Sequence, residues 1–207
     1  MKAKICGITD SNTLKYIINH PYPPEYIGFI VNYKKSKRFL ELNNLKKLLK
    51  INKKKSKYVA VLVKPTDEDL EKISTLPFDY YQIYNLNNDQ IKLIKKKYKI
   101  NIIVAITVKD KNDVLIYNNY KNVADIFLFD SKGYEKSIEF DHRLLNNVST
   151  SIKKMLAGNI QYDDKLDKYS KITDIIDISG SLETSGEKDI SKIKIFLENI
   201  SKIKNEN

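Results

Sequence analysis

The sequence predicts an α/β protein, a single-domain (β/α)8 TIM barrel, on three observations. Eight short apolar runs punctuate the 207 residues, most of them continuously apolar, as parallel strands covered on both faces require. Helix-period segments or long connections separate them, giving about 26 residues per unit, a compact version of a fold usually near 250 residues. The rival doubly wound sheet carries a glycine-rich fingerprint after its first strand when it binds a dinucleotide. Gly7-Ile8-Thr9-Asp10 is not one.

In chain order, the predicted strands are residues 3–6, 26–31, 58–63, 80–83, 102–106, 126–129, 154–157 and 175–178. Asp10 or Ser11 can cap a first helix whose apolar stripe is Leu14, Ile17 and Ile18. Thr66 and Asp69 can form a capping box ahead of Leu70, Ile73 and Leu76. The last helix places Ile190, Ile193, Phe196, Leu197 and Ile200 on one side. The barrel is expected over residues 1–201, with 202–207 a polar, frayed tail.

Composition narrows the classes. Hydrophobic residues at 42% and charged residues at 30% are globular values, and Gly 6 with Pro 5 argues against collagen-like or linker-rich chains. No apolar run approaches the roughly 18 residues of a membrane span, and the first residues carry no signal-peptide pattern. A cytoplasmic, non-membrane protein is expected. Cys 1 forbids an internal disulfide, and with His 2 no Cys/His zinc site is expected. Lys+Arg 37 against Asp+Glu 26 gives +11, which suits a phosphate-rich partner. The lysines cluster at 46–57 and 92–99, at the ends of helix-like segments, where cations oppose the helix dipole and stay solvated. No nucleic-acid-binding signature accompanies them, so no nucleic-acid partner is expected.

In such barrels the active site forms at the carboxyl ends of the strands. The polar residues there are Cys6 after strand one, Arg38 after strand two, Asp130 after strand six and Asp177 ending strand eight. Gly158 and Asn159 follow strand seven, and Ser179, Gly180 and Ser181 follow strand eight. These last two loops are where this fold usually holds a phosphate.

The same residues fall into ordered motifs. Lys4-Ile5-Cys6-Gly7-Ile8-Thr9 opens the chain; Gly28-Phe29, Ser36-Lys37-Arg38, Gln82-Ile83 and Leu128-Phe129-Asp130 follow. Phe140-Asp141, Leu156-Ala157-Gly158, Asp177-Ile178-Ser179 through Glu183, and Gly186-Glu187-Lys188-Asp189 complete the series. In this order they resemble the phosphoribosylanthranilate isomerase family of tryptophan biosynthesis over nearly the whole chain. The sequence departs from that pattern at Tyr84, where the family commonly has histidine, and at Asn159, where it has a second glycine. Ser-Ser-Gly becomes Ser179-Gly180-Ser181, the loop after strand six keeps only Gly133, and His142 stands where the family prefers tryptophan.

The resemblance implies an isomerase that works by an Amadori rearrangement on a small phosphorylated substrate, with no cofactor and no metal, as a monomer or homodimer. It makes Asp130 the general acid that opens the ribose ring and Cys6 the general base at carbon 2. It sets Arg38 against the anthranilate carboxylate, with Asp177 hydrogen-bonding the substrate or orienting the site; Gly158, Ser179 and Gly180 lie in the loops where this fold usually holds a phosphate. Asp130 then needs burial or a nearby negative charge to hold a proton. Lys4, two residues before Cys6 on the same strand face, is placed to favour the thiolate. Other readings stay open: Cys6 as a buried small hydrophobe, Asp130 as a cap, Arg38 as surface charge, Asp177 as a structural hydrogen-bonder. The glycines also fit ordinary tight turns, and the two histidines fit structural roles. The related histidine-pathway isomerase carries aspartate where Cys6 stands. A barrel that only binds phosphorylated ligands or RNA through its lysines is the alternative of another class.

Overall fold

The computed structural model describes residues 1–131 and 140–203. Gly133 and the tail from 204 onward therefore lie outside the described residues. Eight parallel strands close into a barrel in sequence order: β1 Lys2–Cys6, β2 Tyr26–Ile30, β3 Lys57–Val63, β4 Tyr80–Tyr84, β5 Asn101–Val108, β6 Ile126–Ser131, β7 Lys154–Leu156 and β8 Ile175–Ile178. Each predicted strand is present, with ends shifted by two residues at most. The longest shift is at β5 and β6, where Thr107 and Asp130 continue the pairing beyond the apolar run.

Six helices are described: α1 Ser11–Asn19, α2 Leu42–Leu49, α3 Asp67–Ile73, α4 Asn88–Tyr98, α5 Lys111–Leu115 and α6 Ile190–Lys202. The second half of the barrel relies on 3₁₀ turns, at Ile116–Tyr120, His142–Asn147, Leu166–Tyr169 and Gly180–Leu182. These short connections explain the low residue count per unit. A two-stranded hairpin, β9 Glu183–Thr184 with β10 Glu187–Lys188, precedes α6. Asp10 caps α1, and Thr66 with Asp69 forms the expected capping box on α3. That helix ends at Ile73, before Leu76; Pro77 follows, and the residue before a proline is kept out of helical geometry. Leu76 instead packs against the core from the loop. Ile190 is 37% exposed, because it is the first residue of α6 and follows the hairpin; burial starts at Ile193.

Alternation divides the strand residues between two cores. Ile5, Ile27, Phe29, Leu62, Ile83, Val104, Phe129 and Ile176 point outward and pack under the helices. Tyr26, Val59, Val61, Ile103, Leu128 and Met155 fill the barrel interior. An aspartate precedes β4, β6 and β8, and each reaches back to the preceding strand. Asp79 accepts from Tyr58 N, Asp125 from Ile102 N and Asp174 from Lys154 N, all at 2.7 Å. Each thereby satisfies an N–H at the open end of a strand. Several clustered lysines pair with acids: Lys53 with Asp79, Lys57 with Glu25, Lys95 with Asp125 and Lys97 with Glu71.

Asp125→Ala removes both the bond to Ile102 N and the pair with Lys95. It is expected to lower stability by about 2 kcal/mol, read as a lower urea midpoint at unchanged slope.

Candidate active site

A cavity of about 750 Å³ opens at the carboxyl ends of the strands, and Cys6, Arg38, Asp130, Gly158, Asp177, Ser179 and Gly180 all line it. The two-residue period brings Lys4 and Cys6 of β1, Gln82 and Tyr84 of β4, Asp130 of β6 and Asp177 of β8 to the interior face. Gly28 of β2 makes this possible. A Cβ there would sit 2.8 Å from Cys6 Sγ and 3.2 Å from Lys4 Nζ, so glycine leaves the space that both groups occupy.

Lys4 is fully buried, and its Nζ donates to Asp177 Oδ2 at 2.8 Å. Burial disfavours its charge, but Asp177 and Cys6 outweigh burial and hold it as an ammonium. The Lys4 ammonium also acts electrostatically on the Cys6 side chain. Burial pushes the Cys6 thiol above its ordinary value, Lys4 pulls it back, and Asp177 pushes it up again. Asp130 is raised to about 6, chiefly by burial and further by Asp177, against a hydrogen bond from Tyr84 that lowers it. Tyr84 donates to Asp130 Oδ2 at 2.9 Å and accepts from Gln82 Nε2 at 3.2 Å.

Arg38 is held by Glu183, which accepts from Nε at 2.5 Å and from Nη2 at 2.8 Å. That pairing uses one edge of the guanidinium and leaves the Nη1 end for another partner. Glu183 also binds the buried Lys188, whose Nζ donates to the Ser179 carbonyl at 3.0 Å. Burial works to raise the Glu183 carboxyl, but its bonds to Arg38 and Lys188 win and hold it below the usual carboxylate range.

The candidate phosphate loops differ in what they offer. Gly158 has φ +90 and Asn159 φ +53, so the β7 loop turns through left-handed backbone that glycine tolerates best. A Cβ on Gly158 would meet Ser131 at 2.7 Å. The Ser179 hydroxyl is already committed to the Cys6 carbonyl at 2.9 Å, and Ser181 Oγ to the Ile160 carbonyl at 2.9 Å. Side chains therefore lock these loops together, and backbone N–H groups are what they can present to an anion. His142 packs edge-on against Phe140 and Tyr169, with Nε2 3.0 Å from the Gly158 carbonyl, a structural place. His20 lies in the α1–β2 connection, away from the cavity.

Three buried side-chain atoms of the described residues have no hydrogen-bond partner: Gln82 Oε1, Ser131 Oγ and Asp177 Oδ1. All three residues line the cavity, which marks it as built for a polar guest. Glu183, Lys188, Gln82 and Ser131 received no role from the sequence. Gln82 is detectable as a polar residue in an apolar strand, whereas Glu183 and Lys188 belong to the short β9–β10 hairpin, whose two-residue strands leave no apolar run to mark them.

Comparison with known proteins places the chain in a family. A family model for N-(5'phosphoribosyl)anthranilate (PRA) isomerase matches residues 3–199. The chain belongs to this family. The isomerase of Streptococcus mutans is 30% identical over 203 residues, covering 97% of this chain and 99% of that protein. That of Clostridium kluyveri is 31% identical over 209 residues, covering 99% and 100%. Among solved structures, phosphoribosyl anthranilate isomerase from Thermotoga maritima aligns with TM-score 0.84 at 21% identity, over 98% of this chain and 100% of that one. A second, at 0.84 and 22%, is described as a complex with reduced 1-(o-carboxyphenylamino)-1-deoxyribulose 5-phosphate. As a PRA isomerase, the chain is an enzyme of tryptophan biosynthesis. No helix among the described residues is long and apolar enough to cross a membrane.

Glu183→Gln leaves Lys188 and Arg38 without their carboxylate and is expected to cost about 3 kcal/mol by urea unfolding. Because the folded carboxyl is depressed, the gap between wild type and variant is full above about pH 4.3. It closes as pH falls through the folded value.

Proposed function

We propose that the isomerisation is an Amadori rearrangement of N-(5'-phosphoribosyl)anthranilate, with Asp130 as general acid and Cys6 as general base. The observation that carries this reading is the pairing of the two groups in one cavity with their environments set apart. Burial raises the Asp130 carboxyl to about 6, which keeps a protonated fraction at neutral pH, while burial also raises the Cys6 thiol and the neighbouring Lys4 ammonium partly offsets that rise.

Asp130 gives its proton to the ribose ring oxygen as the bond from that oxygen to carbon 1 breaks, and the anilino nitrogen lone pair forms the Schiff base. The Cys6 thiolate removes the proton from carbon 2, and the electron pair returns to nitrogen through the new carbon–carbon double bond of the enolamine. Tautomerisation moves the carbon-2 hydroxyl proton out and a proton onto carbon 1, giving 1-(2-carboxyphenylamino)-1-deoxyribulose 5-phosphate. The thiol proton of Cys6 goes to carbon 1 and the carbon-2 hydroxyl proton returns to the Asp130 carboxylate, so no proton is gained or lost overall.

The electrostatics suit this traffic. Lys4, Lys188 and Arg38 contribute three positive charges in and around the cavity, and Asp177 and Glu183 two negative ones. One further negative charge balances the set, on Asp130 or on Cys6. The resting form (Asp130 ionised, Cys6 a thiol) and the reactive form (Asp130 protonated, Cys6 a thiolate) thus carry the same charge and differ by one proton's position. The reactive form is the minor one; its population is constant between the two pKa values and falls outside them. The Nη1 end of Arg38 meets the anthranilate carboxylate. Asp177 Oδ1 accepts from a ribose hydroxyl. The phosphate sits against the backbone of the Gly158 and Gly180 loops.

Turnover of freshly generated phosphoribosylanthranilate, followed by loss of its fluorescence, tests the reading. Cys6→Ser and Asp130→Asn are each expected to lower kcat by about 10²–10⁴-fold. Arg38→Lys, which loses the fork, raises KM by about tenfold or more with less effect on kcat. Full activity in Cys6→Ser removes the base assignment, and a folded wild type without turnover sinks the whole proposal.

A further inference from the structure

Tyr84 ends β4 and takes no part in the steps above, yet its buried side chain lies between two cavity groups. A phenol has one hydrogen to give. Its oxygen accepts from Gln82 Nε2, so the hydrogen goes to Asp130 Oδ2. Gln82 stands two residues earlier and faces inward by the same strand alternation. Burial, with the negative charges of Asp130 and Asp177, pushes Tyr84 ionisation well above 10, so the group stays a donor across the working pH range. A donor on Oδ2 leaves Oδ1 as the oxygen that carries the proton when Asp130 is an acid.

We propose, on the reading of Asp130 as general acid, that Tyr84 backed by Gln82 is a positioning residue for the isomerisation, holding the Asp130 carboxyl so that Oδ1 presents its proton to the ribose ring oxygen. The groups facing Asp130 are Tyr84 from β4, Asp177 from β8 and Lys4 from β1, with the Ser131 backbone N–H beside it. Asp177 raises its pKa and Lys4 lowers it. A hydrogen bond to the ionised carboxyl lowers it too, so removing the hydroxyl moves it up. In Tyr84→Phe the Asp130 midpoint is expected to rise by about one pH unit. Gln82→Met, which deprives the phenol of its own donor, is expected to raise it by less.

The experiment is a carboxyl carbon-13 NMR titration of the unliganded protein as wild type, Tyr84→Phe and Gln82→Met, with Asp130 assigned by its loss in Asp130→Asn. It is paired with kcat/KM against pH on phosphoribosylanthranilate. The substrate phosphate titrates near 6 in every variant alike, so only differences between variants are read. The expected result is an Asp130 midpoint near 6 in wild type, raised in both variants, with the lower limb of kcat/KM moving by the same amount. An unmoved midpoint in Tyr84→Phe overturns the proposal. A midpoint that moves while the limb stays fixed also overturns it, by showing that Asp130 is not the general acid. The two failures are therefore told apart by the NMR arm, which needs no turnover.

Discussion

The ion pair between Lys4 and Asp177 joins the two strands that close the barrel. Lys4 and Asp177 are register partners where β1 meets β8, and their side chains meet inside at 2.8 Å. Burying two charges in a protein interior is costly unless each is matched closely. A shift of one residue in that pairing would turn one partner to the outer, helix-covered face, leaving the other buried and unmatched. The pair therefore penalises a mistaken closure more than an apolar contact would, and it does so where the first and last strands must find each other late in the chain.

The same constraint organises the chemistry. Cys6 lies one interior step above Lys4, so the charge that helps define the seam also bears on the thiol. Asp177 pushes both Cys6 and Asp130 upward. Cys6 and Asp130 consequently stand on strands β1 and β6 but share one electrostatic set. Arg38 and Glu183 form a second, outer set, linking the loop after β2 to the loop after β8 across the mouth. The inner set surrounds Cys6 and Asp130, and the outer set holds the Arg38 guanidinium in place.

Much of the fold was legible because parallel strands read as apolar runs, and these bracketed all eight. Apolar runs understate the strand ends where polar residues continue a strand: Asp130 belongs to β6, its pairing with Thr107 extending past the last apolar side chain. Leu76 and Ile190 fit helical spacing but fall outside the buried stripe, since periodicity says nothing of where a helix stops or meets the barrel wall. Cys6, Asp130 and Asp177 stand out as polar residues at strand ends and Arg38 in the loop after strand two, and the structure brings all four to one cavity. What escaped were partners remote in sequence. The Arg38–Glu183 link spans most of the chain, and the Tyr84–Asp130 bond depends on which strands the barrel sets opposite one another. Neither follows from local spacing.

Gly28 has a consequence for the durability of Cys6. By making room, it lets the sulfur sit inward, 8% exposed, beside no second thiol. Peroxides and alkylating agents attack the thiolate, not the thiol. The resting thiol, raised in pKa and enclosed, is a poor target for both, and with Cys 1 in the whole chain it has no internal partner for a disulfide. On the proposed mechanism its thiolate arises only as the minor form of the Asp130–Cys6 pair. Burial would thus, on that mechanism, shield a chemically soft base from oxidative loss.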